Sequence, residues 1–286
     1  MAAITAAMVK ELREITGAGM MECKKALNEA DGNMEAAVDV LRTRGLAAAA
    51  KKAGRATNEG TVAALVAEDG TAGVVLELNC ETDFVGMNEK FKAYADRIAG
   101  VALANSCSDV EALKELKDGD EVVADIITDA VHVLGENTNL ARVQVLAGGA
   151  VCSYIHMGGK IGVLVGFELE GIEPTNADFV AYGRNVAMQV AAISPVAANR
   201  DAVPADVVEH ERAIYIAQAA ESGKPEAIQQ KMAEGRLEKF YKENCLTEQD
   251  YVKNPEQTIA QYTAEVAKQL GGSIKVVDFV RFALGE

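Results

Sequence analysis

The hydrophobic pattern of this 286-residue chain changes near residue 57, and the change limits the folds open to it. Before that point, apolar residues recur every three or four positions, which is the spacing of amphipathic helices. From residue 61 onward, short apolar and β-branched runs end at Gly, Asp or Asn, which is typical of strands bounded by turns. The sequence therefore predicts a helical unit followed by a mixed α+β region.

Three amphipathic helices are predicted in residues 4–54. Their inner faces are expected to carry Ile4, Met8, Val9, Leu12 and Ile15 in the first helix, Met20, Cys23, Ala26 and Leu27 in the second, and Ala37, Val38 and Leu41 in the third. Residues 16–19 and 31–33 contain Gly beside Thr, Asp or Asn and are predicted turns. Gly45 is expected to end the third helix, so that the Ala- and Lys-rich residues 46–56 form a separate linker helix.

From residue 61, predicted strands alternate with predicted helices. The strands are residues 61–66, 73–78, 140–146, 151–156, 161–169 and 273–282, and the helices are residues 87–104, 109–116, 121–135 and 182–193. The first two strands flank Glu68-Asp69-Gly70-Thr71, which predicts a β-hairpin. Residues 206–243 carry apolar positions at helical spacing on both sides of Ser222-Gly223-Lys224-Pro225, which predicts an antiparallel helical hairpin.

A faint internal repeat links two parts of this region. Gly73-Val74-Val75-Leu76 leads to Asp83-Phe84-Val85 and a helix, and Gly162-Val163-Leu164-Val165 leads to Asp178-Phe179-Val180 and a helix. We interpret the likeness as a duplicated strand–corner–helix unit, which predicts two related α+β subdomains.

The charge of the chain is negative and uneven. The formal net charge is −15, and such a surface disfavours direct binding of nucleic acid because it repels phosphate. Residues 1–57 carry 9 Lys and Arg against 7 Asp and Glu, whereas the remainder carries 19 against 36. The N-terminal part is therefore expected to present its own partner surface.

The spacing of the cysteines and the absence of long apolar runs indicate the cellular compartment of the protein. The five cysteines are Cys23, Cys80, Cys107, Cys152 and Cys245; they are scattered and form no CxxC pair, which favours reduced thiols over disulfides or zinc. No run approaches the length of a membrane span, and the start of the chain lacks a basic, then apolar, leader. The sequence predicts a soluble, cytoplasmic protein with no membrane partner.

No pattern of catalytic or cofactor-binding residues is evident. Neither a phosphate-binding glycine loop, nor a dinucleotide fingerprint, nor a GxSxG elbow occurs. The three histidines, His132, His156 and His210, are far apart and lack the spacing of metal ligands. The sequence therefore favours a protein that acts by binding, without catalytic residues, metal or cofactor.

The strongest candidate for a binding element is Asn79-Cys80-Glu81-Thr82-Asp83-Phe84-Val85, between a predicted strand and a predicted helix. A strand-to-helix corner displays side chains rigidly, and this one would present an acid beside an aromatic ring. Alternatively, Asp83 caps the helix and Phe84 packs beneath it. His156 leaves the same choice, because it ends a strand before Gly158-Gly159 and is either outward-facing or structural.

These features coincide with those of a known family. Residues 9–27 and residues 79–85 resemble two long motifs of bacterial translation elongation factor Ts, the guanine-nucleotide exchange factor for elongation factor Tu. Shorter matches follow in the same order at residues 135–137, 154–156, 161–164 and 222–225. The resemblance covers nearly the whole chain.

The resemblance implies a domain organisation. Residues 1–56 would form a ubiquitin-associated-like (UBA-like) three-helix domain with its linker helix. Residues 57–146 would form the first α+β core subdomain, and residues 147–286 the second, with the helical hairpin inserted at about residues 206–243. Some members carry a further C-terminal module, which this chain is expected to lack.

The resemblance also implies a mechanism. In the family, the corner inserts into elongation factor Tu bound to GDP, displaces its Mg²⁺ and distorts the phosphate site, so that GDP leaves and GTP rebinds without covalent chemistry. The residues matching the Mg²⁺-displacing motif are Thr82, Asp83, Phe84 and Val85, and the other matching partner-binding residues are Lys24, Leu134, Gly135, Glu136, Asn137 and His156. Leu134 stands where the family often has Ile.

Three other hypotheses remain open. Residues 1–54 alone would suit a free-standing ubiquitin-associated module, but this explains only the first fifth of the chain. A carboxylate-based enzyme site in one subdomain has no support beyond abundant acids. A homodimer built on the helical hairpin, or a complex of two copies with two partner molecules, is compatible with exchange activity.

Overall fold

The computed structural model describes residues 4–16, 18–221 and 223–286, except for the side chains of Leu46 and Ala48. Gly17 and Ser222, which belong to two predicted turns, lie outside the described residues. The helices are α1 (Ala6–Thr16), α2 (Met20–Glu29), α3 (Met34–Lys52), α4 (Asp83–Gly86), α5 (Glu89–Ala104), α6 (Val110–Glu115), α7 (Val123–Leu134), α8 (Ala177–Ile193), α9 (Ala205–Ala220), α10 (Glu226–Asn244) and α11 (Ile259–Leu270). The strands are β1 (Glu59–Val66), β2 (Ala72–Cys80), β3 (Lys117–Asp118), β4 (Glu121–Val122), β5 (Thr138–Ala147), β6 (Ala150–His156), β7 (Ile161–Glu170), β8 (Asp250–Tyr251), β9 (Asn254–Thr258) and β10 (Ser273–Ala283). This mixture confirms the predicted α+β class, and the two short hairpins β3–β4 and β8–β9 were not predicted.

The first three helices form a small bundle with its own apolar core. Leu12, Cys23, Ala26 and Leu27 are fully buried within it. Two predicted core positions are wrong, because Ile15 and Met20 are 60% and 59% exposed. Both residues lie at helix ends beside the α1–α2 turn, where the inner face of each helix no longer meets a neighbour.

The prediction that Gly45 ends the third helix is also wrong. Helix α3 continues from Met34 to Lys52, so the predicted linker helix is its second half. Alanine and lysine favour helix strongly enough to outweigh one internal glycine. Gly45 also allows a close approach, because a Cβ placed there would lie 3.4 Å from His132 Cβ on α7.

Two three-stranded antiparallel sheets form the centre of the molecule, with strand orders β1–β2–β5 and β10–β7–β6. Each begins with a hairpin, continues through helices, and returns with a third strand beside the second strand of the hairpin. The common order agrees with the predicted repeat. The side chains of the repeat do not agree, because Phe179 is fully buried on α8 whereas Phe84 is 79% exposed.

The two sheets pack face to face. Val62 and Val75 of the first sheet meet Val151 and Leu164 of the second in a buried layer. The opposite faces are covered by helices: α5 and α7 on the first sheet, α8 and α11 on the second. Because side chains alternate along a strand, neighbouring residues of β2 and β7 serve two different cores.

Helices α9 and α10 pair as the predicted antiparallel hairpin. Its base is anchored by a cluster of apolar residues, namely Ala197, Val203, Leu237, Phe240 and Cys245. Farther out, Ile216 and Ile228 are each 45% exposed. The hairpin is therefore fixed at its base and open to solvent along its length.

Several kinds of site are not found in the part of the chain that the structure describes. No helix there is both long and apolar enough to cross a bilayer. No group of three or more His, Cys, Asp or Glu side chains is placed to hold a metal ion within residues 4–16, 18–221 and 223–286. All five cysteines are free thiols, and all but Cys107 are buried.

Candidate partner-binding surface

The run from Glu81 to Met87, called the corner below, connects β2 to α5 through one short helix. Thr82 begins α4, and the Val85 N–H donates to Thr82 Oγ1 at 3.4 Å. Asn88 then begins α5, because its Oδ1 accepts from the Lys90 N–H at 2.9 Å. Two side-chain caps in succession therefore turn the chain sharply after the strand.

The corner presents Asp83 and Phe84 to solvent. Phe84 is 79% exposed, more than any other large apolar side chain in the described residues. Thr82 and Asn88 are the residues that cap the helices, and Asp83 is exposed. The alternative in which Asp83 caps the helix and Phe84 packs beneath it is therefore wrong, whereas Val85 does pack partly on the core of the first sheet.

Two glycines seat the corner on the first sheet. A Cβ on Gly86 would lie 2.6 Å from the carbonyl oxygen of Gly60 on β1, closer than real side chains approach. Gly60 itself has φ +149°, and a Cβ there would lie 2.2 Å from the carbonyl oxygen of Leu78. The backbones of α4, β1 and β2 are thus in direct contact, which leaves the corner little freedom to move.

Glu136 binds the corner from across the chain. Its Oε2 accepts from the N–H groups of Glu81 at 3.1 Å and Thr82 at 2.9 Å, and its Oε1 accepts from Thr82 Oγ1 at 2.6 Å. Gly135, in the left-handed conformation at φ +81°, ends α7 and turns the chain toward the corner. Hydrogen bonds to an ionised carboxylate are stronger than neutral ones, so this contact fixes the start of α4.

Glu81 makes the reciprocal contact. Its Oε1 accepts from the Asn137 N–H at 2.7 Å, and Arg55 Nη1 lies 3.3 Å away. The backbone hydrogen bond from Asn137, aided by the charge of Arg55, lowers the pKa of the Glu81 carboxyl. Asn137 Nδ2 in turn donates to the carbonyl oxygen of Arg55 at 2.8 Å. We call this set, Arg55, Glu81, Thr82, Glu136 and Asn137, the carboxylate clamp.

Cys80 lies directly beneath the corner and is structural. Its Sγ donates to the carbonyl oxygen of Thr82 at 3.1 Å. Burial, reinforced by the charge of Glu136, raises the pKa of the Cys80 thiol to about 12. The thiol therefore stays protonated at neutral pH and is unsuited to act as a nucleophile.

His156 ends β6 and is half-buried. Its Nδ1 lies 3.0 Å from the hydroxyl oxygen of Tyr154, and this hydrogen bond orients the imidazole ring. The turn that follows, residues 156–160, reaches β1, because the Val62 N–H donates to the carbonyl oxygen of Gly159 at 2.7 Å. His156 is therefore held on a turn that is anchored to the first sheet.

The turn and the corner lie at the same end of the packed sheets. Glu59 begins β1 directly opposite Cys80, the last residue of β2 before the corner. Lys160 Nζ lies 2.7 Å from Glu59 Oε2. The structure thus brings the corner, the clamp residues after α7 and the His156 turn into one region.

The other predicted site residues lie at the edge of this region or outside it. Leu134 is half-buried at the end of α7 and packs against the core of the first sheet. Lys24 is exposed on α2, which belongs to the separate helical bundle. That bundle contacts the rest of the molecule through α3 on α7, with an ion pair between Arg42 and Asp125.

The role of Arg55 was missed by sequence reasoning. It is 26 positions from Glu81 and 82 from Asn137, so no local spacing could indicate either contact. The one available signal was that each of two separated motifs carries a Glu, at Glu81 and Glu136. The sequence did not say that each Glu binds the backbone of the other segment.

The sequence of this chain is similar to those of known proteins. Residues 81–286, which begin at the corner, match the family model described as Elongation factor TS. Elongation factor Ts of Clostridioides difficile (strain 630) is 50% identical over 289 residues, covering 100% of this chain and 94% of the relative.

Two further relatives agree. Elongation factor Ts of Clostridium botulinum (strain ATCC 19397 / Type A) is 49% identical over 288 residues, covering 99% of this chain and 93% of the relative. Elongation factor Ts of Trichlorobacter lovleyi is 48% identical over 290 residues, covering 99% and 93%. The chain therefore belongs to the elongation factor Ts family of translation elongation factors.

Proposed function

We propose that this chain binds elongation factor Tu in its GDP-bound and nucleotide-free forms and accelerates the release of GDP. In this proposal the corner enters the nucleotide-binding domain of the partner, displaces Mg²⁺ and distorts the phosphate site, after which GTP rebinds. The observation that carries the proposal is the 79% exposure of Phe84 on a corner that is otherwise tightly held.

The energetics of Phe84 favour such a role. Burying a Phe side chain stabilises a protein or complex by about 1.5–3 kcal/mol, and here this free energy is left unused in the isolated chain. The clamp and the Gly60–Gly86 contact hold the backbone of the corner in place before binding, so little backbone conformational entropy is lost on association. A rigidly held corner can therefore present this aromatic side chain as a wedge.

Displacement of Mg²⁺ would account for faster release. A bound cation is often the largest local charge in a nucleotide site, and Mg²⁺ is held largely by phosphates. Loss of that charge weakens the binding of GDP, and the exposed carboxylate of Asp83 would repel the negatively charged phosphates that hold the ion. By linkage, GDP weakens binding of the exchange factor by the same ratio, so no nucleotide site on this chain is needed.

The remaining site residues are assigned roles in the same proposal. Thr82 and Val85 shape the corner, and Gly135, Glu136 and Asn137 serve partner binding through the corner that they hold. Leu134 and His156 would contact the partner beside the corner. Lys24 would contact it through the helical bundle, which gives a second, separate area of attachment.

The domain division is part of the proposal. Residues 1–56 would be a UBA-like domain, and residues 57–146 and 147–286 the two core subdomains. The three largest apolar cores, which lie one in each of these ranges, support it. The helical hairpin at about residues 206–243 would reach the partner or a second copy of this chain, and the protein would work in the cytoplasm without direct contact to nucleic acid or membrane.

The proposal is tested by the release of fluorescent GDP from elongation factor Tu in the presence of excess unlabelled GDP. The chain is expected to accelerate release in a concentration-dependent manner. Phe84→Ala should lower the maximal acceleration by about tenfold or more, because one anchor residue commonly contributes this much to an interface. Ile193→Ala, which removes another exposed apolar side chain, should have little effect.

The outcomes separate the parts of the proposal. Circular dichroism should show that Phe84→Ala remains folded, because the side chain makes little contact with the rest of the chain. Normal exchange by this folded variant would contradict the wedge role. Absence of acceleration by the unaltered chain would contradict the exchange function itself.

A further inference from the structure

Met157 occupies a position that is unfavourable in two ways. It is 72% exposed, although its side chain is large and apolar. Its φ angle is +49°, in the left-handed region that crowds any residue with a Cβ atom. The other non-glycine residues with positive φ in the described part of the chain are Asp31, Ser106 and Ser194, all small and polar. Nothing in the isolated fold accounts for a methionine here.

The turn that carries Met157 is rigid. The N–H groups of Gly159 and Lys160 both donate to the carbonyl oxygen of His156, at 3.2 and 3.1 Å. On the far side, the Leu284 N–H donates to the carbonyl oxygen of Lys160 at 2.9 Å. A Cβ on Gly159 would lie 2.1 Å from Thr61 Oγ1, so the turn sits directly on β1. Met157 is therefore presented by a fixed backbone.

Met157 also stands on the same end of the molecule as Phe84. A shallow hollow of about 240 Å³ beside the turn is lined by Ile155, Gly158 and Gly159, by residues 61–64 of β1, and by Lys92 and Asp96 of α5. Helix α5 begins five residues after Phe84. Ile155, at the edge of this hollow, is 36% exposed. The turn and the corner thus flank the start of one helix.

We propose that Met157 is a second apolar anchor for the partner that Phe84 enters. This inference rests on the function proposed above, and it assigns to Met157 a contact with an apolar patch on elongation factor Tu. In the complex the exposed side chain would be buried, and the free energy of that burial would offset the cost of the strained backbone. A protein surface is the fitting ligand class, because an exposed, uncharged methionine side chain on a fixed backbone offers apolar area and no charge.

Met157→Gly tests the inference because stability and binding should change in opposite directions. Glycine adopts positive φ without strain, so the melting temperature of the free chain should rise by about 2–4 °C. The dissociation constant for nucleotide-free elongation factor Tu, measured by calorimetry, should increase about tenfold. A residue with a purely structural role would not weaken binding while its removal stabilises the fold.

Two controls isolate the side chain. Met157→Leu keeps an apolar side chain at the same strained position and should bind within about twofold of the unaltered chain. Ser194→Gly removes positive-φ strain at the end of α8, away from the turn, and should raise the melting temperature without changing the dissociation constant.

Each possible outcome either supports or overturns the proposed role of Met157. Unchanged binding by Met157→Gly would overturn it while leaving the exchange function intact. If the unaltered chain binds elongation factor Tu but does not accelerate GDP release, the exchange proposal fails and the calorimetric comparison still tests Met157. If the unaltered chain does not bind at all, both proposals are overturned.

Discussion

Glu136 makes three hydrogen bonds to the corner, and they satisfy donors at and just before the start of α4. The first N–H groups of a helix have no acceptor in a preceding turn, and α4 is too short to compensate for this loss elsewhere. The Glu136 carboxylate reaches the N–H groups of Glu81 and Thr82 and the Thr82 hydroxyl together. One side chain from another segment therefore determines how Phe84 is presented.

Glu136→Ala is expected to destabilise the chain and to lower exchange activity. These donors are partly buried, so leaving them without acceptors costs at most about 1–3 kcal/mol, and the corner would lose its fixed orientation. Glu136→Gln keeps one acceptor oxygen and should lie between the alanine variant and the unaltered chain. Melting temperature and GDP-release rate measure the two effects, with the exposed Glu115→Ala as control. Equal behaviour of Glu136→Ala and Glu115→Ala would contradict the clamp.

Helices α3 and α4 each contain a glycine at a contact with another element, but the two contacts differ. A Cβ atom placed on Gly45 of α3 would lie 3.4 Å from the side chain of His132 on α7, which is an ordinary van der Waals distance. A Cβ atom placed on Gly86 of α4 would lie 2.6 Å from the backbone oxygen of Gly60. That oxygen cannot move without disturbing β1. The first glycine is a tolerated helix residue, and the second is required by the packing of the corner.

Gly45→Ala and Gly86→Ala are therefore expected to have opposite effects on stability. Alanine in place of a helical glycine gains about 1 kcal/mol, so Gly45→Ala should raise the melting temperature by about 2–4 °C. Gly86→Ala forces α4 away from β1, at a cost of about 1–3 kcal/mol, and should also reduce exchange by displacing Phe84. Thermal unfolding of both variants checks the signs, and stabilisation by Gly86→Ala would contradict the described contact.

At the scale of the whole molecule, the sequence predicted the strands and helices that depend on local residue patterns. The strands of both sheets follow from apolar runs bounded by turn residues, and the α9–α10 hairpin follows from helical spacing. The sequence could not predict contacts between distant segments. The hydrogen bonds that fix the start of α4 come from Glu136, which lies 54 positions from Thr82, and Gly45 within α3 faces His132 of α7. Ile15 is exposed for the same reason, because no neighbouring element covers it.

The joint between the helical bundle and the core is another contact between distant segments, in which α3 packs on α7. A cleft of about 300 Å³ lies beside the contact of the bundle with α7, and Asp129 on α7 lines it. Burial raises the pKa of the Asp129 carboxyl, although a hydrogen bond from the Tyr94 hydroxyl and the charges of His132 and Arg97 act in the other direction. The negative charge of Glu121 adds to the effect of burial.

Asp129→Asn is accordingly expected to stabilise the protein at neutral pH. A carboxyl whose pKa is raised on folding binds its proton more tightly in the folded state, so its ionisation destabilises the fold as pH rises. Asparagine still accepts from Tyr94 but carries no charge to desolvate. The gain in melting temperature should be full at pH 7 and should vanish as pH falls through the raised pKa toward 3.8, the value without burial. A gain that is independent of pH, or a loss at pH 7, would show that the Asp129 charge supports the joint through Arg97 and His132.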